Sequence, residues 1–274
     1  MKLLKRHTLD ESTKSKLIRV SNLAVDAARE IIVPFFRSNK FELESKDSKK
    51  FDPVTKADKE AEIAMRNVIR KFRPKDGIIG EEFGFLEGET GFNWCLDPID
   101  GTRSFISGTP TWGVLVALAD DDGPFLGIID QPYIGERFIG GLGIAKVDGP
   151  LGIKNLMTRK VRRLEDAILF STFPEIGTKK EFTGFREVAD RVRLVRYGAD
   201  CYAYALLALG QIDLVIEAGL KSYDIQAPIS VVEAAGGFVA NWFGEPSPQG
   251  GQIVAAGNYE LLQAVIELLE PYAE

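Results

Sequence analysis

Two acidic residues three positions apart, Asp97 and Asp100, end the apolar run 94–96 and lead into a Gly101-Thr102 turn. Carboxylate oxygens are the ligands that Mg²⁺ prefers, and magnesium sites often combine carboxylates with substrate phosphates. Backbone N–H groups at the start of a helix can bind phosphate without any basic side chain. The segment therefore predicts a hard cation beside an anion-binding backbone.

The chain has a single histidine, His7, which lies in a polar N-terminal segment. Histidine is a frequent general base and a frequent ligand of catalytic zinc. Because the acidic motif has no histidine near it in sequence, carboxylates must perform the chemistry, which favours Mg²⁺ over Zn²⁺.

The composition is that of an ordinary globular protein, with 274 residues that are 45% hydrophobic and 27% charged. A net charge of −6 argues against a nucleic-acid or membrane partner, although Lys46, Lys49 and Lys50 form a short basic cluster that acidic neighbours dilute. No apolar stretch has the length of a signal peptide or a membrane span. Cys95 and Cys201 lack CxxC spacing, so we expect reduced thiols and a cytoplasmic location.

Other acidic residues stand where predicted strands or helices begin and end, so converging strand ends could gather several carboxylates. Glu81 and Glu82 follow an apolar pair, and Asp224 precedes a predicted helix. Such a cluster requires cations, because like charges repel. Simpler roles stay open at this stage: Asp224 as a helix N-cap, the glutamates as a solvated turn, 55–58 as a capping box and 97–102 as a plain turn.

The N-terminal region predicts two amphipathic helices, over 10–36 and after Thr55, because apolar residues recur every three to four positions. The residues expected to face inward are Leu17, Val20, Ala24, Ala27, Ala28 and Ile31 in the first helix, and Ala61, Ala64, Met65, Val68 and Phe72 in the second. Short apolar runs separated by turns then predict an antiparallel meander. These runs are 78–79, 94–96, 114–118, 125–129 and 138–139.

Strand and helix patterns alternate after residue 166, which predicts layered α/β architecture. The expected strands are 167–170, 194–197, 212–217, 238–242 and 253–255, and the expected helices are 182–191, 202–209, 225–235 and one after Asn258. The change of pattern near Gly149 divides the chain into halves 1–149 and 150–274. No flexible linker separates them, so we expect them to pack as one unit.

The motifs together resemble the inositol monophosphatase family of Mg²⁺-dependent, lithium-sensitive phosphatases. The resemblance rests on DPVTKAD at 52–58, GEE at 80–82, DPIDGT at 97–102, and YD at 223–224 followed by EAAGG at 233–237. It implies an α/β (α+β) protein with the layered α-β-α-β-α fold of inositol monophosphatase and fructose bisphosphatase. Tyr223 stands where the family usually has Trp.

The resemblance also implies roles for single residues around two or three Mg²⁺ ions. The implied metal ligands are Glu81, Asp97, the carbonyl of Ile99, Asp100 and Asp224. Asp58 and Thr102 are implied to position and activate the attacking water, with Glu81 nearby, and the Gly101 and Thr102 amides to bind phosphate. A metal-activated water would attack in line, with no covalent phosphoenzyme.

Two stretches, 130–132 with 136–138 and 196–204, resemble the histidinol-phosphate phosphatase branch of the family more than the inositol branch. Asp200 and Glu217 are the implied contacts to the rest of the substrate, and carboxylates suit a substrate with an amine and an imidazole. Asp200 as a cap of the helix 202–209 is the alternative.

The sequence thus predicts a phosphatase of a small phosphorylated metabolite, namely histidinol phosphate in histidine biosynthesis. The enzyme alternatives are inositol-1-phosphate or a broad range of small phosphoesters, and a nucleotide bisphosphatase is less favoured because no basic loop is present for a second phosphate. A regulatory binding protein that retains the fold is the non-enzyme alternative. Family members are often dimers, so the resemblance implies a homodimer.

Overall fold

The computed structural model describes residues 9–38, 43–45 and 53–274, with backbone alone for 43–45 and 53–55. His7 and the lysine cluster formed by Lys46, Lys49 and Lys50 lie outside the described residues, as does the start of the 52–58 motif. Strands β1 (Leu43–Ser45) and β2 (Pro53–Thr55) form a two-stranded antiparallel ribbon. Across the described residues, no helix is both long and apolar enough to cross a bilayer.

The first layer consists of helices α1 (Glu11–Ile32) and α2 (Lys56–Phe72), which pack against each other. Asp10 caps α1 by accepting a backbone N–H hydrogen bond at 2.7 Å. The predicted extension of the first helix to residue 36 is wrong. The helix ends before Pro34, which has no N–H to continue the hydrogen-bond pattern.

The buried face of α2 differs from the prediction at its end. Phe72 is 43% exposed rather than inward. The buried stripe advances four residues at a time through Ala57, Ala61, Met65 and Ile69, and Phe72 in the last turn lies off this stripe.

An eight-stranded sheet forms the second layer, in the order β10-β9-β8-β7-β6-β5-β3-β4. Its strands are β3 (Gly77–Gly80), β4 (Gly84–Leu86), β5 (Asn93–Asp100), β6 (Gly113–Asp120), β7 (Gly123–Gln131), β8 (Glu136–Gly141), β9 (Ile144–Asp148) and β10 (Lys154–Asn155). From β5 to β10 neighbouring strands are antiparallel, as expected for a meander. The pairing of β3 with β5 is parallel, so the meander prediction is wrong there. The short strand β4 comes between these two strands in the sequence, and it pairs antiparallel with β3 at the edge of the sheet.

A five-stranded sheet in the order β12-β11-β13-β15-β14 forms the fourth layer. Its strands are β11 (Ile168–Ser171), β12 (Leu194–Tyr197), β13 (Leu214–Lys221), β14 (Phe238–Asn241) and β15 (Gly250–Ala256). The helices of this half are α4 (Lys179–Ala189), α5 (Cys201–Ala208), α6 (Ser222–Ala234) and α7 (Tyr259–Leu269). The predicted third strand ends at residue 217, and the predicted next helix begins at 225. The strand instead runs to Lys221 through an irregularity after Glu217, so α6 begins earlier.

Within the part of the chain that the structure describes, three hydrophobic cores hold five layers together. The first lies between α1, α2 and the large sheet, the second surrounds α5 and α6 between the two sheets, and the third lies under α4 and α7. The order of layers is therefore α-β-α-β-α, which confirms the predicted fold class. Helix α6 is buried along most of its length because both sheets cover it.

The chain crosses between the two sheets through residues 156–167, several of which are exposed, such as Met157 and Arg162. Strand β10 follows residue 149 but pairs with β9 of the large sheet. Helix α6, from the second half of the chain, packs on strands of both sheets. The division into 1–149 and 150–274 stays a prediction, and the two sheets share one central helical layer.

Candidate active site

Three carboxylates meet at the end of β5. Ligand oxygens of Asp97, Asp100 and Asp224 all lie within 4.8 Å of one another. Residues three apart on a regular strand face opposite sides of the sheet. Here the register shifts, because Asp97 pairs with Leu115 and Asp100 pairs with Gly113. An advance of three residues along β5 thus corresponds to two residues along β6. This bulge turns both side chains toward the same point.

The parallel pairing of β3 and β5 brings Glu81 to the same place. Glu81 follows β3, and its backbone N–H donates to the Leu96 carbonyl at 3.2 Å. Its side chain is within hydrogen-bonding contact of Asp97. The backbone N–H of Glu82, in contrast, donates to Glu62 at 2.7 Å, which ties this turn to α2. Of the acidic pair, Glu81 is therefore the member beside the carboxylate cluster.

Asp224 belongs to the first turn of α6 rather than to its N-cap. The helix begins at Ser222, so the N-cap interpretation of Asp224 is wrong. One oxygen of Asp224 accepts a hydrogen bond from the backbone N–H of Lys221 at 2.7 Å, which fixes the residue at the end of β13. The second sheet thereby contributes a carboxylate to a site built mainly on the first.

Burial and mutual repulsion dominate the electrostatics of the cluster. Loss of hydration raises the pKa of Asp97 well above its usual range, and the charges of Glu81, Asp100 and Asp224 raise it further. The pKa of Asp100 is raised for the same reason, with Asp200 and Asp224 as the neighbouring charges. Buried like charges at this distance cost free energy unless a cation balances them.

A Gly-Thr turn follows the cluster and starts the short helix α3 (Thr102–Ser107). Gly101 has φ +80°, a backbone conformation that favours glycine. The Thr102 hydroxyl donates to the carbonyl of Ile99 at 3.1 Å, and the N–H of Ile99 donates to Asp97 at 3.0 Å. Asp58 is 1% exposed in the first turn of α2. The capping box at 55–58 and the pairing of Asp58 with Thr102 stay predictions.

Asp100 and Asp200 connect the end of β5 to the start of α5. Asp100 accepts a hydrogen bond from the backbone N–H of Cys201 at 2.7 Å. Asp200 occupies the N-cap position of α5, but its side chain makes no capping hydrogen bond, so its predicted alternative role as a cap is wrong. With φ +48° and ψ −141°, the backbone of Asp200 directs its carboxylate to the hydroxyls of Ser104, at 2.5 Å, and Thr111, at 3.2 Å.

A cavity of about 340 Å³ opens beside the cluster, lined in part by Asp100, Asp224 and Asp200. Glu217 lines the same cavity and accepts hydrogen bonds from the backbone and hydroxyl of Thr172, at 2.7 and 2.8 Å. Burial raises the pKa of Glu217 to about 8.

The cavity lining also contains Arg103, whose guanidinium lies 5.0 Å from the ring centre of Phe173. Arg103 is the one basic residue in the lining formed by the described part of the chain. The acidic residues of the lining are Asp100, Asp200, Glu217 and Asp224, of which Asp100 and Asp224 belong to the carboxylate cluster.

The stretches 130–132 and 136–138, which resemble the histidinol-phosphate phosphatase branch, do not line this cavity. Asp130 is buried in ion pairs with Arg137, at 2.7 Å, and Arg29, at 3.2 Å, and these join α1 to the large sheet. Gln131 donates to the Thr111 carbonyl, and Glu136 accepts from the hydroxyl of Tyr202, which belongs to α5.

Sequence analysis missed three hydroxyl residues around the cavity, namely Ser104, Thr111 and Thr172. Each bonds an acidic residue that is remote in sequence. Such pairs leave no periodic or spacing signal, although Ser104 and Thr111 do lie within ten residues of the DPIDGT motif.

A five-layer α/β fold that gathers buried carboxylates beside a Gly-Thr turn defines a metal-dependent phosphatase. The chain belongs to the inositol monophosphatase family, whose model matches residues 13–274.

Individual relatives agree with this assignment. The bifunctional phosphatase IMPL2 of Arabidopsis thaliana, a chloroplastic protein, is 40% identical over 96% of this chain and 77% of its own length. A histidinol-phosphatase of Mycobacterium tuberculosis is 36% identical over 74% of this chain and 79% of its own. The solved structure of an inositol monophosphatase from Zymomonas mobilis is 38% identical with a TM-score of 0.83, covering 95% of this chain and 100% of that one.

Proposed function

We propose that the protein is a Mg²⁺-dependent phosphomonoester hydrolase that acts on histidinol phosphate in histidine biosynthesis. The observation that supports this substrate most is the presence of Asp200 and Glu217 in the cavity beside the carboxylate cluster. Neither belongs to the group of three close carboxylates. They are therefore available to contact the part of a substrate that carries no phosphate.

The donor set fits a divalent cation, because three buried or half-buried carboxylates approach one another closely and offer only oxygen. Asp97, Asp100 and Asp224 would hold it, and we propose Glu81 and the Ile99 carbonyl as further ligands for two or three ions. A bound cation supplies positive charge to the phosphate and lowers the pKa of a coordinated water.

The residues around the cluster have separate roles in the proposed reaction. Asp58 and Thr102 would position and activate the attacking water, with Glu81 nearby. The Thr102 hydroxyl donates to the Ile99 carbonyl in this structure, and in the proposed reaction Asp58 would accept a hydrogen bond from this hydroxyl. The N–H groups of Gly101 and Thr102 bind the phosphate at the start of α3.

The substrate's amine is bound by Asp200 and Glu217, because a charge-assisted hydrogen bond is about twice as strong as a neutral one. Burial weakens competition from water for both carboxylates. Glu217 with its pKa raised to about 8 would be protonated in an empty site at neutral pH. A cationic amine in contact with it favours the charged carboxylate.

Phosphate release tests this proposal directly. We would measure kcat/KM with histidinol phosphate, inositol-1-phosphate, a nucleoside 3′,5′-bisphosphate and an aryl phosphate, all at saturating Mg²⁺. A charge-assisted contact to the amine predicts a preference for histidinol phosphate over inositol-1-phosphate of about tenfold or more. A preference for inositol-1-phosphate would contradict the assignment, and equal rates on all monoesters would indicate a broad phosphatase.

A cytoplasmic location and a homodimer are also part of the proposal. Cys95 and Cys201 are both free and buried, as expected of a protein from a reducing compartment. Light scattering after size-exclusion chromatography should give twice the chain mass of 30.2 kDa. A single chain mass would contradict the dimer.

A further inference from the structure

Asp200 has an unusual backbone conformation for a residue with a side chain. Among the described residues other than glycine, only Arg37, Leu142 and Asp200 have positive φ, and of these Asp200 alone lines the cavity. Its ψ of −141° lies outside the left-handed helical region as well. Such a conformation persists only where surrounding contacts enforce it, and these residues cluster at functional sites.

The contacts that hold the Asp200 side chain come from two hydroxyls. Ser104 and Thr111 both bond the same carboxylate oxygen, Oδ2, at 2.5 and 3.2 Å. The Thr111 hydroxyl is in turn 3.1 Å from the Gly198 carbonyl and 3.2 Å from the Ser104 hydroxyl. The two hydroxyls therefore orient the carboxylate without using its second oxygen, Oδ1.

The same carboxylate packs directly on the proposed phosphate-binding turn. A Cβ atom on Gly101 would lie 2.7 Å from Cγ of Asp200, which is closer than real Cβ contacts allow. The residue after Asp200 is also bonded to the same segment, because the backbone N–H of Cys201 donates to Asp100. Asp200 therefore contacts both the Gly101 turn and Ser104 of α3, so its position relative to the proposed phosphate-binding turn depends on α3.

We propose that Ser104 and Thr111 are positioning residues that fix the Asp200 carboxylate so that it binds the ammonium group of an aminated phosphomonoester. The inference rests on the proposed function and extends it, because selectivity for amines then depends on two hydroxyls that need not touch the substrate. Without them the carboxylate is free to rotate, and the geometry for binding the amine is lost while the carboxylate cluster keeps its own residues.

The test compares Ser104→Ala and Thr111→Val with the conservative variant Thr111→Ser. The control is Ser107→Ala, one turn further along α3, because the exposed Ser107 hydroxyl bonds only Ser104 O and the Thr109 hydroxyl among the described contacts. The readout is the selectivity ratio, kcat/KM on histidinol phosphate divided by kcat/KM on an aryl phosphate. Thermal unfolding confirms that each variant is folded.

We expect Ser104→Ala and Thr111→Val to lower the selectivity ratio about tenfold, mainly through a higher KM for histidinol phosphate, because an oriented charge-assisted bond is lost. Thr111→Ser should restore most of the ratio, and Ser107→Ala should leave it unchanged. A purely structural role would lower both rates together and leave the ratio unchanged, which would overturn the inference.

Asp200→Ala, measured in parallel, separates this inference from the proposed function. If Asp200→Ala lowers the ratio and the hydroxyl variants do not, positioning by Ser104 and Thr111 is refuted while recognition by Asp200 stands. If Asp200→Ala itself leaves the ratio unchanged, amine recognition by Asp200 fails, and the inference fails with it.

Discussion

The carboxylate of Asp100 accepts a hydrogen bond from the backbone N–H of Cys201, which lies 101 positions later in the chain, at 2.7 Å. Helix α5 is therefore capped by a residue from the large sheet, whereas its own N-cap residue, Asp200, bonds α3. Asp100, at the end of β5, thus bonds the start of α5, and Asp200, at the start of α5, bonds the helix that follows β5. One residue, Asp100, thus contributes both to the carboxylate cluster and to the start of α5 in the central helical layer.

These two roles of Asp100 can be separated by substitution. Asp100→Asn keeps an oxygen that can accept from Cys201 but removes a charge, whereas Asp100→Ala removes both. We expect Asp100→Asn to lose most phosphatase turnover while Asp100→Ala is in addition less stable by about 1–2 kcal/mol, the usual cost of a lost cap. Urea unfolding with chelator present measures the difference. Equal free energies of unfolding for the two variants would show that the cap does not stabilise the fold.

Position 101 requires a glycine for two reasons. Its φ is positive, and the Asp200 side chain occupies the space that a Cβ atom would take. We expect Gly101→Ala to cost about 1–2 kcal/mol of stability from φ alone. It should also lower turnover more than about tenfold, since a shifted turn misplaces the phosphate donors.

Gly84→Ala is the matched control for Gly101→Ala, because Gly84 has φ +64° and no atom lies within 4 Å of the position that an added Cβ would take. Gly84→Ala should lose comparable stability and keep its turnover. Similar losses of turnover in both variants would remove the special role of the Gly101 turn. Steady-state kinetics and thermal unfolding of both proteins supply the comparison.

The acidic cavity predicts that the chelator-treated protein becomes less stable as the pH rises. Glu217 has its pKa raised from 4.5 to about 8, so between these values the unfolded chain has lost a proton that the folded protein keeps. Its stabilising contribution is complete below about pH 4.5 and is lost as the pH approaches 8. The pKa values of Asp97, Asp100 and Asp200 are shifted in the same direction.

Thermal unfolding with chelator at about pH 5.5 and about pH 8 tests this prediction. The free energy of unfolding should fall by at most about 1.4 kcal/mol per pH unit for each titrating group. Added Mg²⁺ should stabilise the protein more at the higher pH, because it binds the charged carboxylates. Glu217→Gln should have a shallower pH dependence than the unsubstituted protein. Stability that increases with pH in chelator would contradict the electrostatic account.

The sequence could predict the elements and the motif residues of the site, because these depend on local patterns. The strand Leu194–Tyr197 follows from the alternation of strand and helix patterns in the second half, and the amphipathic face of α1 follows from helical periodicity. Asp97 and Asp100 stand out as a pair because a turn rarely needs two carboxylates that are flanked by apolar residues such as Trp94 and Ile99.

What the sequence could not predict depends on contacts between remote segments. The parallel pairing of β3 with β5 places Glu81 beside Asp97, and local apolar runs do not encode strand direction. The bulge between Asp97 and Asp100 depends on the register with β6. The turn of Asp200 toward Ser104 and Thr111 depends on its backbone angles, which only the folded chain imposes.

We propose that Asp97, Asp100 and Asp224 together hold the divalent cation on which phosphate release depends. The most direct test is Mg²⁺ titration of chelator-stripped protein, comparing the unsubstituted chain with Asp97→Asn, Asp224→Asn and the exposed control Asp190→Asn. We predict that activity vanishes with chelator, returns with Mg²⁺ in the unsubstituted chain and in Asp190→Asn, and stays about a hundredfold or more lower in the two cluster variants. Full turnover in chelator, or in either cluster variant, would contradict the claim.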